Sequence, residues 1–208
     1  MRLAIIGAGN VGATLAGAFT QAGHDVVFGV RDPGSPRVQE ALASLGGSHR
    51  ALPVADAVAK AEVVLLATPW DGAQDAIASA GGLGGRVLVD CTNPLGPDLG
   101  LLIGQTTSGG EQVASWARGA RVVKAFNTTG FNNMANPRYP EGAATMFICG
   151  DDAEARRIVQ ALAEAIAFDV VDCGPLRQAR LLEPLAALWI SLAVAGMGRD
   201  IAFRLVRR

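Results

Sequence analysis

The sequence predicts an α/β fold: a Rossmann doubly wound parallel sheet with a small C-terminal helical lobe. Three observations carry that expectation. The apolar run Arg2-Leu3-Ala4-Ile5-Ile6 enters Gly7-Ala8-Gly9-Asn10-Val11-Gly12, which opens a helical stretch of small residues. Apolar strand-like runs then alternate with helical periodicity through most of the chain, the pattern of a parallel sheet covered on both faces. Finally, residues 178–204 read as one long apolar helix with a break near Gly196-Met197-Gly198. The expected division is a dinucleotide-binding domain over 1–142 and a lobe of strands plus that helix over 143–208.

The first strand and turn define a phosphate cradle. Gly7 permits the tight turn, Gly9 admits close approach of phosphates, and Gly12 lets helix and strand pack closely. Asn10 and Val11 begin the helix, whose free N–H groups and dipole attract anions. Residues 25–30 form the next expected strand, followed by the turn-rich Asp32-Pro33-Gly34-Ser35-Pro36 and a short helix over 38–45. Residues 55–61 read as helix. Residues 63–67 are a continuous apolar run, as a strand buried on both faces should be. Thr68-Pro69-Trp70 follows, and Asp71 is placed to cap a helix through Ser79. A strand over 87–90 leads into Cys91-Thr92-Asn93-Pro94. Residues 95–110 are expected as a long functional loop, 111–118 as helix and 121–126 as strand. Residues 127–141 read as irregular, 143–149 as strand, 151–166 as helix and 169–172 as a last strand.

Composition narrows the function classes. The chain has 208 residues, a net charge of −1 and 50% hydrophobic residues, enough for a full core. No basic stripe invites nucleic acid or an anionic membrane. Cys91, Cys149 and Cys173 are dispersed, and with only His24 and His49 no metal site is expected. The cysteine pattern predicts a reducing, cytoplasmic setting, and a strand beginning at Arg2 leaves no room for a signal peptide. Residues 184–198 carry no charge, but Glu183 and Arg199 flank them closely, so a buried helix is expected rather than a membrane span.

The end of the second strand selects the cofactor. A carboxylate there takes a ribose 2′-hydroxyl, whereas an arginine pairs with a 2′-phosphate. Val30-Arg31, with Arg37 close behind, favours NADP(H). Asp32 leaves an alternative, since it could neutralise Arg31 or reach the ribose itself. Trp70 is expected to pack on the cofactor, the other reading being that it seals the sheet end.

Taken in order, these landmarks resemble the NADPH-dependent reductases of the deazaflavin coenzyme F-420. They are also similar to the cytoplasmic reductase domain of the STEAP metalloreductases. The landmarks are residues 7–12, Gly29-Val30-Arg31, Thr68-Pro69-Trp70, residues 123–127, Cys149-Gly150-Asp151-Asp152, residues 172–176 and Gly196-Met197-Gly198. The resemblance implies hydride transfer between NADP(H) and a deazaflavin or flavin held in a cleft. It implies Asn10 and Val11 at the pyrophosphate, Arg31 at the 2′-phosphate, and Thr68, Pro69 and Trp70 along the nucleotide. Asn93 and Pro94 would lie near the nicotinamide, with Phe126, Asn127, Thr128, Thr129 and Gly130 facing the second substrate.

The inventory of side chains points the same way. Reduction of a ketone needs a group to protonate the alkoxide, but ring-to-ring hydride transfer asks mainly for positioning. Lys124 is the exception, in an apolar strand where a lysine either pairs structurally or reaches a cleft. The sequence is compatible with both. With Lys124 as acid, the chain would reduce a small ketone or imine, and a non-catalytic NADPH sensor is a third reading. The long apolar helix predicts a homodimer.

Overall fold

The computed structural model describes residues 1–46 and 49–208. Its centre is an eight-stranded sheet in the order β10-β9-β6-β5-β4-β1-β2-β3. The strands are β1 (Arg2–Ile6), β2 (Asp25–Val30), β3 (Arg50–Pro53), β4 (Val63–Leu66), β5 (Val87–Asp90), β6 (Arg121–Lys124), β9 (Thr145–Gly150) and β10 (Asp169–Asp172). From β3 to β6 all pairings are parallel, with the strand order 3-2-1-4-5-6 of a dinucleotide-binding fold. The expected Rossmann sheet is therefore present.

The strands of residues 143–208 extend this same sheet. β9 runs antiparallel to β6, with Lys124 opposite Cys149, and β10 pairs parallel with β9. Apolar side chains on β9, α7 (Ala153–Ala165) and β10 join the cluster that contains Leu3, Ile5, Leu15 and Phe19. The C-terminal strands are thus continuous with the core of the first half.

Four central strands, β1, β4, β5 and β6, are buried almost throughout, which is why their sequences are nearly unbroken apolar runs. On one face lie α1 (Asn10–Gln21), α6 (Phe131–Ala135) and α7; on the other lie α3 (Val54–Ala59), α4 (Ala73–Ala78), α5 (Gly109–Trp116) and α8 (Ala179–Leu192). A helix α2 (Pro36–Ser44) starts with Pro36 behind Ser35 and follows the loop after β2. A hairpin of β7 (Arg138–Tyr139) and β8 (Gly142–Ala143) precedes β9.

Several expectations are corrected. β7 and α6 fall in the stretch read as irregular, β3 in the unassigned stretch between two expected helices, and β8 takes the first residue of the strand expected over 143–149; each is five residues or shorter and too brief for periodicity to show. Asp71 does not cap a helix: it sits in a 3-10 turn, Trp70–Gly72, ahead of α4. The last helix ends early, with a π turn at Ala193–Met197 where Gly196 turns to φ 111°. It is also buried on one face only. Ala179, Leu182, Glu183, Ala186 and Trp189 face inward, while Leu181, Leu188 and Val194 are exposed at 66%, 50% and 72%. Residues 176–197 form one segment long and apolar enough, by composition, to cross a membrane.

Candidate active site

The carboxyl ends of β1, β2 and β4 open into a cleft of about 840 Å³, lined in part by Gly7, Gly9, Asn10, Val11, Arg31 and Thr68. This is the crevice at the strand-order reversal where open α/β sheets bind ligands. The turn after β1 is built for close approach. Gly7 has φ 109°, and a Cβ there would meet the Ala67 carbonyl oxygen at 2.6 Å. A Cβ on Gly12 would fall 2.0 Å from the Gly7 carbonyl oxygen, so helix and turn can nest only with glycine. Gly9 differs: a Cβ on it would meet nothing within 4 Å, because it faces open cleft. α1 begins there with no side-chain cap and no acidic residue in its first turn, leaving N–H donors for an anion.

The second-strand exit resolves the competition around Arg31. Asp32 Oδ1 accepts a hydrogen bond from Gly34 N at 2.9 Å, so this carboxylate is engaged in its own turn. Among the described residues neither Arg31 nor Arg37 forms an ion pair, and both line the cleft with Ser35 at the start of α2. Two free guanidiniums around one loop suit a phosphate monoester. Thr68 and Pro69 line the same space, and Thr68 Oγ1 is buried without a partner. Open space at Gly9, the uncapped α1, paired arginines and this orphaned hydroxyl all fit a dinucleotide carrying a third phosphate.

Trp70 is absent from the lining. It packs instead on Trp116 of α5, ring centroids 5.2 Å apart, and so seals the sheet against that helix. Of the two readings of Trp70, the geometry matches the seal. Gly12 lies behind the turn, shaping the cradle without lining it.

Asn93 and Pro94 follow β5 and residues 126–130 follow β6; none of these seven lines the cleft, whose wall takes in their chain neighbours Cys91 and Phe131 instead. Asp90 ends β5 and accepts from both Thr92 N (2.9 Å) and Thr92 Oγ1 (2.7 Å), fixing the turn. Asn93 Nδ2 donates to Asn127 O at 2.9 Å, and Asn127 Nδ2 returns a bond to Asn93 Oδ1 at 3.1 Å. The structure thus brings Asn93 and Asn127 together across neighbouring strand ends. Phe126 takes φ 61°, a left-handed conformation rare for an aromatic residue, as the chain leaves β6. Asn127 Oδ1 and Thr128 Oγ1 are buried and have no partner. Thr129 Oγ1 accepts from Asn133 Nδ2 at 2.8 Å, and a Cβ on Gly130 would strike the Trp189 ring at 2.5 Å.

Lys124 is not in the cleft. Fully buried, it donates to Asp90 Oδ2 at 2.8 Å and pairs with Glu183 Oε1 at 2.8 Å. Burial alone would lower its pKa, but the two carboxylates outweigh this and hold the ammonium above the usual lysine range. Glu183 also accepts from Gly109 N and Gly110 N, both at 2.9 Å, at the start of α5. That helix end supplies positive partial charge where two carboxylates face one ammonium.

Cys91, Phe131 and Arg199 line the cleft although the sequence reading singled out none of them for it. Burial, followed by the neighbouring Asp90 charge, pushes the Cys91 thiol far up, so it is no nucleophile. Among the described residues no cluster of His, Cys, Asp and Glu could hold a metal ion.

Sheet order and phosphate cradle together define a dinucleotide-binding protein of Rossmann type. The family model for coenzyme F420-dependent NADP oxidoreductases matches residues 2–94. A solved structure of a putative F420-dependent NADP-reductase from Arthrobacter sp. FB24 superimposes with a TM-score of 0.91 at 35% identity, covering all of both chains. The chain belongs to this family. It is also 29% identical over 223 residues to the F420-dependent NADP reductase of Methanothermobacter thermautotrophicus, covering 99% of this chain and 94% of that one. Rat metalloreductase STEAP3 is 30% identical over 207 residues, of which this chain spans 40% of the length. A reductive aminase from Aspergillus terreus shares the fold at 19% identity, with a TM-score of 0.69.

Proposed function

We propose that this enzyme passes hydride between NADP(H) and a deazaflavin of the coenzyme F420 type, or a flavin. The observation that carries the reading is the sequestration of Lys124. Reduction of a ketone or imine by this chain would call on that lysine as the acid, yet its ammonium is locked between Asp90 and Glu183. The remaining ionisable groups on the cleft wall are arginines, rim aspartates and the unreactive Cys91 thiol. Such a wall binds and orients rings; it does not deliver protons.

When bound, NADPH would supply a hydride, which carries both electrons, and the second proton of the reduced acceptor ring would come from solvent. Gly9, Asn10 and Val11 hold the pyrophosphate, and Arg31 with Arg37 takes the 2′-phosphate. Thr68 and Pro69 would flank the nucleotide, and Asn93 and Asn127 brace each other where β5 and β6 end.

NADPH deuterated at the transferred position of C4 tests direct passage. The label should appear on carbon in the reduced deazaflavin. With the deazaflavin as acceptor, label released to solvent and none on its ring carbon would sink direct passage; a flavin takes hydride at nitrogen, where label exchanges with water, so the deazaflavin is the acceptor to use.

We further propose a homodimer through the exposed stripe of Leu181, Leu188 and Val194 on α8 and its π turn. Light scattering should give twice the chain mass, reduced to the monomer by Leu188→Glu. A wild-type monomer would remove the idea.

A further inference from the structure

The segment after α8 carries a cation into the cleft that the preceding reading does not use. Gly196 at φ 111° and Gly198 at φ 74° turn the chain back toward the sheet, a course only glycine takes without strain. The following residues are then fastened to α6 and α8. Asn132 Nδ2 donates to Arg199 O and to Asp200 Oδ1, both at 2.8 Å. Asn133 Nδ2 donates to Ile201 O at 2.7 Å, and Trp189 Nε1 reaches the same carbonyl at 2.8 Å. A segment held by four hydrogen bonds is a fixed part of the cleft wall.

On this anchored backbone the Arg199 guanidinium lies over Phe131, 5.4 Å from the ring centroid. Both side chains line the cleft that Gly9, Asn10 and Val11 line. α6, which begins with Phe131, packs along α1. The aromatic face orients the planar guanidinium and leaves N–H groups free to fork onto oxyanions. Among the described residues Arg199 has no ion-pair partner.

A pyrophosphate brings two negative charges, whereas a helix N-terminus offers only about half a positive one. The first turn of α1 contains no basic residue, and Arg31 and Arg37 stand at the exit of β2. We propose that Arg199 is a third phosphate-binding cation, completing from the C-terminal segment the pyrophosphate site that the glycine turn begins. This rests on the NADP(H) reading above. A phosphate on the hydride acceptor would present the same chemistry, so the test separates the two sources.

The experiment measures dissociation constants of NADPH and of 2′-AMP, which has the 2′-phosphate but no pyrophosphate, for wild type, Arg199→Met and Arg199→Lys. Arg199→Met should raise the NADPH constant about tenfold to a hundredfold, with Arg199→Lys in between. 2′-AMP binding and melting temperature should not move. Phe131→Leu, which removes the platform and keeps the cation, should give a smaller rise. An NADPH constant within about twofold of wild type in Arg199→Met overturns the proposal. Should that result come with a raised KM for FMN and an unchanged one for riboflavin, the acceptor's phosphate is the partner instead. Wild-type protein that binds 2′-AMP and NADPH equally well overturns the pyrophosphate site itself. Wild type that binds neither overturns the NADP(H) reading.

Discussion

Glu183, on the last helix, places its carboxylate 2.8 Å from the Lys124 ammonium in a pocket closed to solvent. Through Lys124 it reaches Asp90, and through Gly109 and Gly110 it caps α5, so four elements meet at one buried carboxylate. Removing one partner of such a cluster costs more than the cluster contributes, because a charge is left buried and unpaired. Lys124→Met should therefore lose about 3–5 kcal/mol in denaturant unfolding. Because Lys124 lies outside the cleft, the protein that remains folded should keep its NADPH affinity. Unchanged stability with lost turnover would return the lysine to a catalytic role.

Gly9 and Gly12 lie three positions apart yet should fail differently. Gly9 has φ −78° and open space beside it, so Gly9→Ala should fold normally. Its new methyl occupies room meant for phosphate, and NADPH affinity should fall at least about tenfold, roughly 1.4 kcal/mol. Gly12→Ala puts a methyl 2.0 Å from a backbone oxygen and should lose stability and binding together, by more than about 2 kcal/mol. Calorimetry and NADPH titration on the pair check both outcomes.

Arg31→Ala should weaken NADPH by about 1.5–3 kcal/mol, the scale of hydrogen bonds to charged groups, while NADH binding stays near wild type. Titrating both cofactors against both proteins measures it. Equal losses would mean that Arg31 holds no 2′-phosphate.

Acid stability should report on Glu111. Ser108 caps α5 by accepting from Glu111 N, and the Glu111 carboxylate receives Arg180 at 2.9 and 2.6 Å. Arg180 foremost, with help from Ser108, holds the Glu111 carboxyl below the usual 4.5. A depressed folded-state pKa stabilises above the unfolded value and loses that contribution as pH falls below it. Arg180→Met should be slightly less stable than wild type at neutral pH, the effect being small because the pair is exposed. The gap should close below pH 4.5 in urea unfolding across the acid range.

Much of this architecture is legible in the chain. β1, the glycine turn and α1 announce themselves because strand period, turn chemistry and helix composition all agree there. β4 and β5 are visible because burial on both faces demands unbroken apolar runs. β3 is an edge strand of four residues ending in Pro53, and α6 is a short turn around Asn132 and Asn133; neither leaves a periodic trace. The site shows the same contrast. Arg31 sits at a fixed distance from a motif and can be found by counting. Glu183 and Arg199 read as ordinary charges bounding an apolar helix, because their partners are remote in sequence. Trp70 misleads for a related reason: local order puts it beside the cleft, but Trp116 on another helix claims its ring.

The most direct test of hydride passage without a protein acid is loss of NADPH absorbance with purified protein. Coenzyme F420, FMN, FAD, a panel of small ketones and imines, and no acceptor would be compared. The account predicts fast, saturable turnover with F420 or a flavin and none with the ketones and imines. Turnover confined to ketones or imines, or tight NADPH binding with every acceptor left unreduced, would contradict it.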